Sequence, residues 1–257
     1  MIDLSQTITE LAKKRRAFHS EVDFQHALAS MLERNYPKLQ VRLGVSWTDP
    51  DKRRAKVDLR CFSDTGLDWI ELKYKTKRAC FSVDCEEFCL REDSALQDNR
   101  RALWEDVCRV EDLVDQVTKK TSTTSASRGY AVFLTNEKAY WENPDRGEAL
   151  DQQFRFREGV DFSQRLVFPK KQTRKHYWPW KRDLGSDGLR LKLKGCYRIK
   201  WMEYSTVPGG KFRFFILSYS KAGRAGIPLP PNARASRGDQ AARAPPPAAR
   251  SALEAAA

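Results

Sequence analysis

Nothing in the chain approaches eighteen consecutive apolar positions, so no helix in it is expected to span a bilayer. Histidine is rare, and His19, His26 and His176 fall into neither an H-x₃-H nor an H-E-x-x-H pattern. A histidine-metal nuclease therefore recedes. No Walker A lysine loop and no G-x-G-x-x-G fingerprint occur, which sets aside an ATPase and a dinucleotide enzyme. The start, MIDLSQTITELAKKRRAF, has acids before bases and lacks an apolar segment with a small-residue cleavage site, so no secretory signal is read there. Cysteine is also sparse, six in 257 residues, and without a secretory signal these are expected to be reduced thiols in a cytoplasmic protein.

Basic residues, by contrast, are abundant. Forty-seven Lys and Arg against thirty-four Asp and Glu leave a formal charge of +13, which favours a polyanionic partner. Nucleic acid is the leading candidate, the alternative being a basic surface that serves solubility alone.

The organisation follows from composition and periodicity. A globular domain is expected over residues 1–220, followed by a disordered tail over 221–257, where Ala, Pro, Gly and Arg displace large apolar residues. A short helix is predicted around Ile8 to Ala17. A second starts at Ser20 as N-cap, with Asp23 three residues on, and buries Phe24, Ala27, Leu28, Met31 and Leu32 before stopping near Tyr36-Pro37. Strands are read at Val41 to Trp47, Lys56 to Phe62 and Leu67 to Tyr74, the last two forming a hairpin around Asp64-Thr65-Gly66. A long helix from Ser94 to Lys119 carries Leu96, Leu103, Val107, Val110, Val114 and Val117 on one side. The apolar run Tyr130 to Leu134 then reads as a strand buried on both faces. Tyr197 to Tyr204 and Phe212 to Tyr219 are expected to form a second hairpin about Pro208-Gly209-Gly210. The order implies a layered α/β domain.

The chemistry concentrates in KVDLRCFSDTGLDWIELKYK, residues 56 to 75. Alternation along a strand puts Ile70, Leu72 and Tyr74 on one face and Glu71, Lys73 and Lys75 on the other. In the partner strand Val57, Leu59 and Cys61 form the apolar face, leaving Asp58 opposite. A turn centred on Asp64-Thr65 pairs Asp58 with Glu71, and one centred on Thr65-Gly66 pairs it with Lys73. Either register gathers three ionisable groups. Opposed carboxylates destabilise a hairpin unless a cation lies between them, and Mg²⁺ suits such oxygens, with the Leu72 carbonyl as a further ligand and water and phosphate completing the shell. Lys73 would orient an attacking water and offset charge on phosphorus. The alternative is an exposed strand face carrying an ordinary Glu-Lys pair.

On these residues the sequence resembles the PD-(D/E)XK nucleases, the restriction-endonuclease-like superfamily. Asp58 matches the first acid and Glu71-Leu72-Lys73 the (D/E)XK triplet, the only Asp/Glu-x-Lys in the chain, with twelve residues between the acids. Val57 stands where the family name has proline. Glu21, opening the second helix, matches an additional helical acid of such nucleases, although an acid in a first helical turn is favoured by the helix dipole in any protein. The resemblance spans roughly Phe18 to Leu134. It implies a three-layer α/β/α core with a mixed central sheet and a Mg²⁺-dependent endonuclease, with Mn²⁺ able to substitute. Asp58, Glu71 and Leu72 would be metal ligands, Lys73 and Glu21 further members of the site, and double-stranded DNA the substrate. Two alternatives stand: an inactive nucleic-acid-binding module on the same scaffold, and a nuclease acting on RNA or branched DNA.

Two basic stretches fit nucleic-acid contact. Lys75, Lys77 and Arg78 extend from the hairpin. Between Arg165 and Arg182, Lys170, Lys171, Arg174 and Lys175 interleave with Trp178 and Trp180, whose rings either stack on bases or pack into the core. Cutting both strands of a duplex favours pairing, so a homodimer is an open expectation. Cys80, Cys85 and Cys89 include no C-x₂-C pair and are expected to be buried thiols without an iron-sulfur cluster.

Overall fold

The computed structural model describes residues 2–48, 54–64, 66–93, 95–120, 126–142, 151–168 and 189–221. The chain divides into two units, Met1–Arg224 and Ala225–Ala257, and the expected tail, from residue 222 onward, lies outside the described residues. So does the basic-aromatic stretch with Lys170, Lys171, Arg174, Lys175, Trp178 and Trp180.

Helix α1 (Leu4–Lys14) begins where the Asp3 side chain accepts the Gln6 N–H, earlier than the apolar pattern predicts. Helix α2 (Glu21–Asn35) starts as the sequence predicts, with the Ser20 hydroxyl accepting the Asp23 N–H at 3.1 Å. Its Phe24, Leu28, Met31 and Leu32 are buried. The strands β1 (Gln40–Thr48), β2 (Arg54–Ser63) and β3 (Gly66–Lys75) follow as an antiparallel meander. A small hairpin, β4 (Ala79–Val83) and β5 (Glu86–Leu90), precedes the long helix α3 (Leu96–Lys120). Strand β6 (Ala126–Thr135) then pairs parallel to β3 from Gly66↔Ala126 to Lys75↔Thr135. Strands β7 (Asp161–Phe168) and β8 (Leu189–Arg198) make a separate antiparallel pair. The final hairpin, β9 (Met202–Val207) and β10 (Gly210–Ser220), joins β6 to complete the order β1-β2-β3-β6-β10-β9.

The result is a mixed α/β protein around a mixed six-stranded sheet. Alternation along β3 feeds two cores: Ile70, Leu72 and Tyr74 pack with α1 and α2, whereas Trp69 packs with Leu103, Trp104, Val107 and Val114 of α3. Strand β6 contributes to both, with Val132 and Leu134 on the first side and Ala131 and Phe133 on the second, so its continuous apolar run is explained. A Cβ on Gly129 would lie 2.0 Å from Val110 Cγ1, so this glycine lets α3 settle close against β6. None of the helices among the described residues is long and apolar enough to cross a membrane.

Two expectations need correction. The stretch from Tyr197 to Tyr204 is divided: Tyr197 belongs to β8, Ile199 to Trp201 leave the ladder, and only Met202 onward pairs with β10. Cys80, Cys85 and Cys89 are exposed rather than buried. They lie in the β4–β5 hairpin, whose inward face is taken by Phe81, Phe88 and Leu90.

Candidate active site

The β2–β3 ladder runs from Ser63↔Gly66 to Leu59↔Ile70, the register centred on Asp64-Thr65, which places Asp58 opposite Glu71. Asp58 reaches Glu71 through an irregularity at the β1 side. Gly44 adopts φ +58°, a left-handed conformation suited to glycine, and the β1–β2 pairing passes from Leu43↔Leu59 to Val45↔Val57 without a Gly44–Asp58 pair. The Asp58 carbonyl accepts instead from Gln25 Nε2 of α2 at 2.6 Å. Across this break the pleat changes face. Leu59 and Cys61 pack toward α1 and α2 as expected, but Val57 packs with α3, correcting the single apolar face read from alternation.

Beyond Ile70 the edge of β3 faces side chains instead of a strand. Asp58 Oδ2 accepts the Leu72 N–H at 2.7 Å, and Glu21 Oε2 accepts the Tyr74 N–H at 2.9 Å. Two residues of strand separate these contacts, about 7 Å. In an extended strand a residue's N–H and C=O leave from the same edge, so the Leu72 carbonyl is directed toward the Asp58 side. Glu21 also lies 3.6 Å from the Lys75 ammonium, so the second-helix acid and the first residue of the basic run meet at the end of β3. Lys77 and Arg78 are exposed just beyond.

On the α3 side, Glu71 is only 3% exposed. Its carboxyl is pushed up to about 8, chiefly by burial and further by the Asp58 charge and a hydrogen bond to Asp58. Arg109 and Lys73 work in the opposite direction and are outweighed. Arg109 Nε stands 3.6 Å from Glu71 Oε1, too far for a hydrogen bond, and Oε1 has no hydrogen-bond partner among the described residues. Lys73 Nζ lies 2.5 Å from Asp106 Oδ2, and Arg109 pairs with the other oxygen of the same carboxylate. Asp106 is itself 2% exposed.

The structure therefore places Asp58, the Leu72 backbone and Glu21 along one edge of β3, with Glu71 and Lys73 beside Asp58 on the α3 face; Glu21 stands one pair further along, at the Tyr74 N–H. Three neighbours were not foreseen: Gln25, Asp106 and Arg109. A signal for Asp106 was present, because it interrupts the buried stripe of α3 between Leu103, Val107 and Val110. Gln25 carried no such mark.

The residues suit a small hard cation in part. Two touching carboxylates, one with a buried oxygen lacking a hydrogen bond, and an adjacent carbonyl form the oxygen set Mg²⁺ uses when water and phosphate fill the other positions. No group of three or more His, Cys, Asp and Glu side chains arranged to hold a metal occurs among the described residues. Comparisons with protein families, curated proteins and solved structures found no match.

Proposed function

We propose that the protein is a Mg²⁺-dependent endonuclease of the restriction-endonuclease-like kind, hydrolysing phosphodiester bonds of double-stranded DNA. The observation that carries the reading is the contact between Asp58 and the buried Glu71, with Lys73 on the same strand face. Clustered carboxylates of this kind are costly to fold around and are compensated where a cation is to be held. A mixed sheet with α1 and α2 on one face and α3 on the other supports the same reading, being the arrangement the resemblance implies.

In this mechanism Asp58, Glu71 and the Leu72 carbonyl would hold the cation, which when bound would supply Lewis acidity and lower the pKa of water. Lys73, fixed by Asp106, holds positive charge beside the attacked phosphorus and orients the water. Glu21 adds an outer carboxylate and keeps β3 in place through the Tyr74 N–H. Lys75, Lys77 and Arg78 continue the positive path for the backbone, and the +13 charge draws the polyanion to it.

A second reading draws on the pairing of Lys73 with Asp106 and of Glu71 with Arg109: a nucleic-acid-binding module whose acids are balanced by its own cations. Incubating the full chain with supercoiled plasmid and Mg²⁺, with an EDTA control, separates them. Nicking or linearisation that EDTA and Asp58→Asn abolish is the expected result. Plasmid retardation without cleavage would overturn the nuclease in favour of the binder, and cleavage confined to RNA or junctions would move the substrate.

A further inference from the structure

The exposed cysteines of the β4–β5 hairpin have no part in the chemistry above, yet their placement is specific. Asp84 and Cys85 occupy the turn with φ 54° and 62°, the left-handed pair of a two-residue type I′ hairpin. That turn closes on Val83↔Glu86 and sets the register Ser82↔Glu87, Phe81↔Phe88 and Cys80↔Cys89. In an antiparallel ladder hydrogen-bonded and non-hydrogen-bonded pairs alternate. Counting outward from the closing pair, Cys80 and Cys89 occupy a non-hydrogen-bonded site, where Cα atoms stand about 4.5 Å apart. A disulfide accepts Cα separations of about 4.4–6.8 Å. The neighbouring Cys80 side chain is the largest influence raising the Cys89 thiol above its ordinary range, as expected for two thiols facing each other across the ladder. Both face outward, since Phe81 and Phe88 stack on the inner side at 5.3 Å between centroids.

We propose that Cys80 and Cys89 are a disulfide-forming pair, a reversible oxidation site that clips the β4–β5 hairpin. Glutathione disulfide is the oxidant. The Cys80 thiolate attacks one of its sulfurs, forming a mixed disulfide and releasing one glutathione thiolate. Cys89, having given its proton to solvent, attacks the Cys80 sulfur and releases the second glutathione. Two cysteine thiols lose two electrons in all, one glutathione disulfide gains them, and the two thiol protons end on the two glutathiones.

The clip acts on the entrance to α2. Glu86 of the hairpin lies 2.8 Å from His19 Nε2 and 3.8 Å from Arg15, and the His19 ring stacks on Phe88 at 4.6 Å. Those contacts brace the residues that lead into Ser20 and Glu21. Oxidation therefore stiffens the support of the α2 start without touching Asp58, Glu71 or Lys73.

The test equilibrates the full chain in graded reduced and oxidised glutathione, alkylates free thiols and maps peptides by mass spectrometry, with hydrogen exchange read over residues 79–90. Expected is a Cys80–Cys89 cross-link reversed by reductant, with exchange of the hairpin amides slowed roughly tenfold or more on oxidation. Cys85→Ser should behave as wild type, whereas Cys80→Ser and Cys89→Ser should show neither the cross-link nor the slowing, and reduced Cys80→Ser should keep the wild-type fold by circular dichroism. Stable glutathione adducts on Cys80 without ring closure, a cross-link made chiefly through Cys85, or stoichiometric zinc held by the reduced thiols would overturn the proposal.

Discussion

Replacing Glu71 by Gln keeps the shape of the protonated side chain and removes its ability to ionise, which isolates one burial cost. The Glu71 carboxyl is raised from 4.5 to about 8 in the folded protein. A raised carboxyl pKa means the fold favours the neutral form. Its stabilising contribution is fully present below pH 4.5, declines as pH rises from 4.5 towards 8, and is gone above that window. At 1.36 kcal/mol per pH unit the gap corresponds to about 5 kcal/mol as an upper limit. Urea unfolding of wild type and Glu71→Gln from pH 5 to 8.5 reads the difference directly, because the other titrating groups are shared. The two proteins should have similar stability near pH 5, and the variant should be the more stable by about 2–5 kcal/mol at pH 8.5. Adding Mg²⁺ at pH 8.5 should restore stability to the wild type and leave Glu71→Gln nearly unmoved. Parallel pH curves for the two proteins would refute the burial of an ionisable Glu71, and equal Mg²⁺ responses would refute its place in a cation site.

Three further perturbations follow from the packing. Lys73→Ala should abolish plasmid cleavage, and because it leaves the Asp106 carboxylate with Arg109 alone it should also cost about 2–3 kcal/mol, most of which Lys73→Ala/Asp106→Asn recovers; urea curves of single and double variants check this. Gly129→Ala drives a methyl into Val110 and should destabilise by about 1–3 kcal/mol, with a lowered thermal midpoint as the readout. Glu111→Ala removes the carboxylate that accepts from the Lys194 and Gly195 N–H groups and the Tyr197 hydroxyl. The expected loss is about 3 kcal/mol, with faster hydrogen exchange in β8.

Much of this site could be read from the chain because its determinants are local. The Ser20 cap and the short turn after Ser63 depend on residues a few positions apart, so they fixed the start of α2 and left two registers, of which the ladder adopts the one setting Asp58 against Glu71. Other features depend on distant partners. The pleat reversal at Asp58 arises from Gly44 in another strand and Gln25 in a helix, and no alternation rule applied to β2 alone can reveal it. The β4–β5 hairpin escaped notice because Asp84 and Cys85, not glycine, take the left-handed turn positions. Phe81, Phe88 and Leu90 alternate with Cys80 and Cys89 along the two strands, so the apolar surroundings of these thiols belong to the opposite face. The sequence places Lys73 in the candidate site but gives no sign of its partner: it meets Asp106 because α3 lies over that face of β3.

The acids along the rim of β3 have one more consequence. A bare rim of amide hydrogens invites a stray extended peptide to zip on, the common route to domain exchange and fibrils. Here the amides of Leu72 and Tyr74 are already spoken for by Asp58 and Glu21. The same two side chains thus also guard this edge against unwanted polymerisation, so replacing them by alanine, which leaves both amides bare, should favour self-association.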